Sequence, residues 1–356
     1  VKEKDPTSDS TPPQLVSIQF TPPQVRDGEE IGLTVGATDD LSGVRNISGS
    51  IVSPTGGLLG FALTRDPADP NRYGARVLIP REAPEGVWRI NYLHMTDNAS
   101  NPVVLSYNQG GIPPGGTFTV VSSRPDSSPP LLRAIWLDRR AMKAGERNTV
   151  FVQAEDDRSG VALVSGVFHS PSRLARVGFG CRNSGTQWEC DFLPPLSVDC
   201  GDWQLEQIQL QDKANNTTAM RGDNPLVASV KLNILSDQCD SEPPALLALV
   251  LDTSAVSNVQ ETVVTLTATV ADDLSGVASV SGHMAGPSES GNAPRLFFSM
   301  SPAGDPETWV GRITVPKNAA KGIWAAGSIQ MLDKANNLKI YTRGDAKLAP
   351  VQFRVE

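Results

Sequence analysis

Asp39-Asp40-Leu41-Ser42-Gly43-Val44 decides the fold, because the chain says it again as Asp156-Asp157-Arg158-Ser159-Gly160-Val161 and as Asp272-Asp273-Leu274-Ser275-Gly276-Val277. The copies stand about 116 residues apart, too far for a solenoid repeat and close to the size of one small domain. Roughly 60 residues after each copy comes a second turn: Asp97-Asn98-Ala99-Ser100-Asn101, Asp212-Lys213-Ala214-Asn215-Asn216 and Asp333-Lys334-Ala335-Asn336-Asn337. A Gly-x-Trp precedes each of these turns, at Gly86 and Trp88, Gly201 and Trp203, Gly322 and Trp324. A Pro-Pro pair opens every unit, at Pro12-Pro13, Pro129-Pro130 and Pro243-Pro244. The expected partition is a polar tail at 1–11 followed by domains at 12–123, 124–240 and 241–356.

Between these landmarks lie short alternating runs bounded by Gly, Pro, Asn and Asp. In the third copy Val263–Val270 ends at the Asp-Asp turn and Val277–Met284 leaves it. Trp309–Pro316, Ile323–Leu332 and Val351–Val355 complete the unit. Six or seven such strands, without helical periodicity, describe an all-β fold of three tandem sandwiches.

The pattern of Pro-Pro start, Asp-Asp-x-Ser-Gly-Val, Gly-x-Trp and Asp-x-Ala-x-Asn resembles the immunoglobulin-like repeats of bacterial secreted and cell-surface proteins, from Pro12 to Glu356. One departure is that Asn101 is followed by Pro102. The resemblance implies an Ig-like sandwich in an elongated array, and a role as adhesin, envelope filament or accessory region of an exported enzyme. In that topology the Asp-Asp turn (B–C) and the Asp-x-Ala-x-Asn turn (F–G) share the end that faces the preceding domain.

Net charge is −8 over 356 residues, without a clustered basic run, which argues against nucleic acid as a partner. No stretch approaches the 18 or so apolar residues a membrane span needs. The polar start lacks Met, so a signal peptide is expected to have been removed. Four cysteines, Cys181, Cys190, Cys200 and Cys239, all belong to the second copy. Arg182–Thr186 reads as a hairpin tip that sets Cys181 beside Cys190, leaving Cys200 for Cys239. Two disulfides imply an oxidising compartment, cell surface, extracellular space or periplasm.

Acidic turns meeting at a junction invite calcium, which takes six to eight oxygens from carboxylates, amides and backbone. The candidate ligands are Asp39, Asp40, Asp97 and Asn101 with Asp9 from the tail; Asp156, Asp157, Asp212 and Asn216 with Asp126 from the linker; and Asp272, Asp273, Asp333 and Asn337 with Asp240 and Glu242. The alternative is structural: Asp and Asn bond backbone two residues on and mark tight turns without any ion. No other cofactor is expected. Trp88, Trp203 and Trp324 read as core anchors and not sugar platforms.

Arg221-Gly222-Asp223 and Arg343-Gly344-Asp345 repeat an integrin-type tripeptide at equivalent places, which common descent of the copies explains. Sequons at Asn46, Asn98, Asn215 and Asn216 are acceptors only where glycosylation machinery exists. Only three histidines occur, His94, His169 and His283, at unmatched positions. Without a nucleophile elbow or His-Glu-x-x-His motif, catalysis is not expected. Short Pro-rich linkers suggest a semi-rigid rod that acts as spacer, filament subunit or adhesin, with neighbouring copies or surface proteins and glycans as partners. The tail is expected to be a flexible leash or a strand donated to another copy. The alternative is a glycan- or protein-binding module that uses the most divergent loops, at 54–69, 169–187 and 286–306.

Overall fold

The computed structural model describes residues 5–288 and 292–356, so part of the expected tail (1–4) and of the third divergent loop (289–291) lies outside the described residues. It is nearly all strand, as alternation predicts. Along Glu30–Thr38 the apolar residues Ile31, Leu33, Val35 and Ala37 all point inward, and Val264, Leu266, Ala268 and Val270 repeat the pattern in Thr262–Ala271. The buried residues fall into three separate clusters, one inside each repeat. Trp88, Trp203 and Trp324 are 0 % exposed at their centres, each indole donating to a carbonyl four residues back, that of Pro84, Asp199 or Ala320.

In the first repeat, Gln14–Thr21 pairs with Glu30–Thr38, which pairs with Arg72–Leu78. The facing sheet sets Val44–Val52 between Leu58–Ala62 and Gly86–Asp97. A short piece of first strand, Gln24–Arg26, crosses to the facing sheet and runs parallel to Thr117–Val121. The second and third repeats copy this plan, including the parallel pairs of Ala141–Lys143 with Lys231–Leu235 and Ala255–Val256 with Gln352–Val355. In those two, Arg176–Asn183 and Arg295–Ala303 pair on both edges and join the two sheets into one.

The last strand of each unit is split, which the alternation did not foretell. Pro102–Ser106 pairs with one half of Gly86–Asp97 and Thr117–Val121 with the other. The Arg-Gly-Asp tripeptides sit at these breaks in repeats two and three, where Asp345 accepts from the Thr342 N–H at 2.7 Å to close a turn. Both expected disulfides are present. Cys181 and Cys190 stand opposite each other in the hairpin, and Cys200–Cys239 ties the chain leaving repeat two to the loop before its Trp strand.

The Ig-like, all-β expectation holds, but the extended arrangement does not. Repeat one meets repeat two where Asn215 donates to the Leu58 carbonyl at 2.7 Å and Thr55 to the Asn216 amide oxygen at 2.6 Å. Repeat two meets repeat three through a bridge of Ala175 with Asn337 and a bond from Leu338 N–H to the Leu174 carbonyl. The chain's start then docks on repeat three. Asp9 N–H donates to Asn318, Asn258 to the Thr7 carbonyl, and Lys321 pairs with Asp5 at 2.9 Å. Three repeats thus close into a ring, and residues 5–11 are neither a leash nor a donated strand. The reason is chemical: Asp9-Ser10-Thr11-Pro12-Pro13 has the composition of Asp126-Ser127-Ser128-Pro129-Pro130 and Asp240-Ser241-Glu242-Pro243-Pro244, and it behaves as a third linker.

A candidate metal centre at each joint

Each joint is assembled from four side chains on three elements. The linker aspartate comes first: Asp9, Asp126 or Asp240, each fully buried. Its backbone N–H donates to the loop at the far end of the preceding repeat, on Asn318, Glu82 or Val198 at 2.7–2.9 Å. Its Oδ2 accepts from the next repeat, from the N–H of Ser42 at 3.0 Å, Ser159 at 2.8 Å or Ser275 at 3.0 Å. One aspartate therefore staples two repeats, through its N–H to one and its carboxylate to the other, and the device occurs at all three joints.

The Asp-Asp turn supplies the second group. Asp39, Asp156 and Asp272 each use Oδ2 to accept from the glycine N–H four residues on, at 2.8, 2.7 and 2.6 Å. Those glycines sit at φ +85°, +86° and +83°, a region that only glycine enters without cost. So the cap reading is right for one oxygen. The other, Oδ1 of Asp39, Asp156 and Asp272, is buried with no hydrogen-bond partner. A buried carboxylate oxygen is rarely left this way, because its desolvation is uncompensated.

The Asp-x-Ala-x-Asn turn completes the set. Asp97, Asp212 and Asp333 accept from both the backbone and the side-chain amide of the asparagine four residues on, Asn101, Asn216 or Asn337, at 2.7–2.8 Å. The same amide donates to the linker aspartate's carbonyl at 3.0–3.1 Å. Oδ1 of Asn101 and Asn337, residues 2 % and 0 % exposed, has no partner, whereas Thr55 occupies that of Asn216.

Carboxylates are thereby crowded together. Oxygens of Asp9, Asp39 and Asp40 lie within 4.8 Å of one another, as do those of Asp126, Asp156 and Asp212, and those of Asp240, Asp272 and Asp273. Burial pushes Asp97 up to about 7 and Asp212 and Asp333 up to about 6. The asparagine bonds oppose this, and the neighbouring aspartates add to it. Such a site holds either a proton or a cation. Of the expected ligands, Asp97, Asp157 and Asp333 lie outside these groups of three; Asp97 and Asp333 are held beside them through Asn101 and Asn337, and Glu242 donates its N–H to Asp240.

A further device escaped sequence reading. Gly86, Gly201 and Gly322 have φ of +128°, +112° and +132°, and a Cβ there would meet Pro54, Pro171 or Pro287 at 3.2–3.4 Å. These prolines open loops, of which the first two reach the next repeat's F–G turn. The recurring Pro-Ser/Thr at Pro54-Thr55, Pro171-Ser172 and Pro287-Ser288 was the available signal, hidden inside stretches read as divergent.

Comparison with known proteins yields no matching family model and no matching curated protein. Among solved structures, the N-terminal eight Ig domains of Down syndrome cell adhesion molecule align at 11 % identity and TM-score 0.20, covering 97 % of this chain and 36 % of that one. The chain thus spans about a third of that neighbour. A DUF4785 family protein of Legionella pneumophila aligns at 11 % identity and TM-score 0.23, covering 96 % of this chain and 94 % of that one. The D00–D0 domain of intimin aligns at 12 % identity and TM-score 0.17, covering 55 % and 91 %.

Proposed function

We propose that this chain is a non-catalytic structural or adhesive protein of an extracytoplasmic space, a closed scaffold of Ig-like units whose joints are locked by divalent cations. The observation that carries this reading is the triplicate set of half-buried carboxylates, each with one oxygen spent on a turn and the other buried without a partner. Two disulfides and no free cysteine support an oxidising location. Among the described residues no helix is long and apolar enough to cross a membrane.

The donors are oxygens only, which favours a hard cation, and their irregular arrangement of carboxylate, amide and carbonyl suits calcium's flexible shell better than magnesium's strict octahedron. The cation would supply charge neutralisation, and the linker aspartate would pass that stabilisation to both repeats it staples. The test is thermal melting of metal-free protein with calcium or magnesium added back. The expected result is a rise of about 10 °C or more with calcium and a smaller one with magnesium. A melting temperature indifferent to calcium would sink the lock. The binding-module reading keeps one specific support, a cationic cleft at the ring's closing joint.

A further inference from the structure

The three joints are alike in their acidic centres and unlike beside them. Between repeats one and three lies a cleft of about 500 Å³ walled by Arg45, Asn98 and Ser100 on one side and Arg295, Arg312 and Lys317 on the other. Its lone carboxylate is Glu261. An adjoining hollow of about 560 Å³ shares Arg45, Ser100, Arg295 and Phe297 and adds His94. In a chain of net charge −8, four cations converge here. Among the described residues none of them has a carboxylate within ion-pair distance.

Comparison of the copies shows that this is a local departure. Arg45 stands where the other repeats have Ala162 and Ala278. Arg176, the counterpart of Arg295, is held by Glu206 at 2.8 Å, and repeat three has Gly327 in place of that glutamate. Arg76, the counterpart of Arg312, pairs with Glu30 at 3.6 Å, a position occupied by Val263 in repeat three. Phe297 replaces Gly60 and Gly178; its ring is 72 % exposed and rests against His283 at 5.7 Å. Pro102 adds to the opening, since it lacks the N–H with which Leu338 grips repeat two.

We infer that this cleft binds an acidic oligosaccharide. Guanidinium forks suit carboxylate or sulfate groups, and a flat exposed ring beside them suits the apolar face of a sugar. The site deepens the adhesive reading and depends on ring closure, not on which cation fills the joints.

The test is equilibrium binding, in saturating calcium and again after chelation, with an oligogalacturonate hexamer, a heparin hexasaccharide, neutral dextran and polyglutamate. Saturable, salt-sensitive binding of at least one acidic saccharide is expected, with none of dextran. Arg45→Ala, the residue both sister repeats carry, and Arg295→Leu, the residue of repeat one, should each weaken it about tenfold or more, and Phe297→Gly severalfold. Preference between the two saccharides separates carboxylate from sulfate sources. The inference is overturned if neither saccharide binds, if the arginine variants bind unchanged, or if polyglutamate binds in their place. Binding that survives when calcium has no effect on melting would leave the cleft standing and remove the cation lock; the reverse pattern would do the opposite.

Discussion

The division of labour within Asp39, Asp156 and Asp272 sets what substitutions there should do. One oxygen holds a glycine N–H and the other faces buried charge, so the turn and the cation compete for nothing. Asp97 is the most telling residue, because its carboxyl is pushed up to about 7. Without metal, the folded state keeps a proton that the unfolded chain releases near pH 4. The folded form therefore binds more protons between about pH 4 and 7, and this group's contribution to stability falls as pH rises through that window. Melting of metal-free protein across that range should show the decline, and Asp97→Asn should flatten it while abolishing the response to calcium of the closing joint, where Asp9 and Asp39 face Asp97. An unchanged slope in Asp97→Asn would mean that the proton sits elsewhere. The two Asp-bearing turns were legible in the sequence because turn chemistry is local. Which oxygen remains free was not, since that depends on neighbours about 60 and 30 residues away.

Elements carry the next scale. Strand positions, the sandwich and both cysteine pairs could be read because alternation and hairpin tips are short-range signals. The split last strand and the docking of the Pro54, Pro171 and Pro287 loops could not, since each answers to a surface supplied by another part of the chain. The Pro54 loop makes a direct prediction. A Cβ on Gly57 would lie 2.3 Å from the Asn215 carbonyl oxygen, a backbone atom that cannot step aside without parting repeats one and two. Gly57→Ala should weaken that joint while leaving each core intact, seen as earlier protease cleavage near Pro125–Pro130 with unchanged tryptophan burial. The disulfides differ in the loops they close, 39 residues for Cys200–Cys239 and 9 for Cys181–Cys190. Chain-entropy scaling puts their contributions at about 4 and about 2.5 kcal/mol. Replacing the longer pair by serine should lower the denaturation midpoint more. It should also loosen the second joint, because Asp240 follows Cys239 directly.

At the scale of the whole molecule, the ring has two joints with covalent continuity and one without. The closing joint is held by the start of the chain: Asp9 between Asn318 and Ser42, Ser8 on Lys321, and Asn258 on Thr7. Opening it costs those contacts and the Lys321–Asp5 ion pair, whereas the other two joints remain tethered when their contacts fail. The tether also favours closure within one chain. Repeat three meets its own chain's start at an effective concentration in the millimolar range, so a second copy competes only near that level. Asp9→Ala removes the staple and should open the ring, giving a larger radius of gyration by small-angle X-ray scattering with unchanged strand content. A Ser8→Cys, Lys321→Cys pair, placed where the Ser8 hydroxyl accepts from the Lys321 N–H at 2.9 Å, should cross-link within single chains at micromolar protein. Covalent dimers and longer ladders under those conditions would instead show that the start of one molecule docks on the third repeat of the next. The same chemistry would then build a filament in place of a ring.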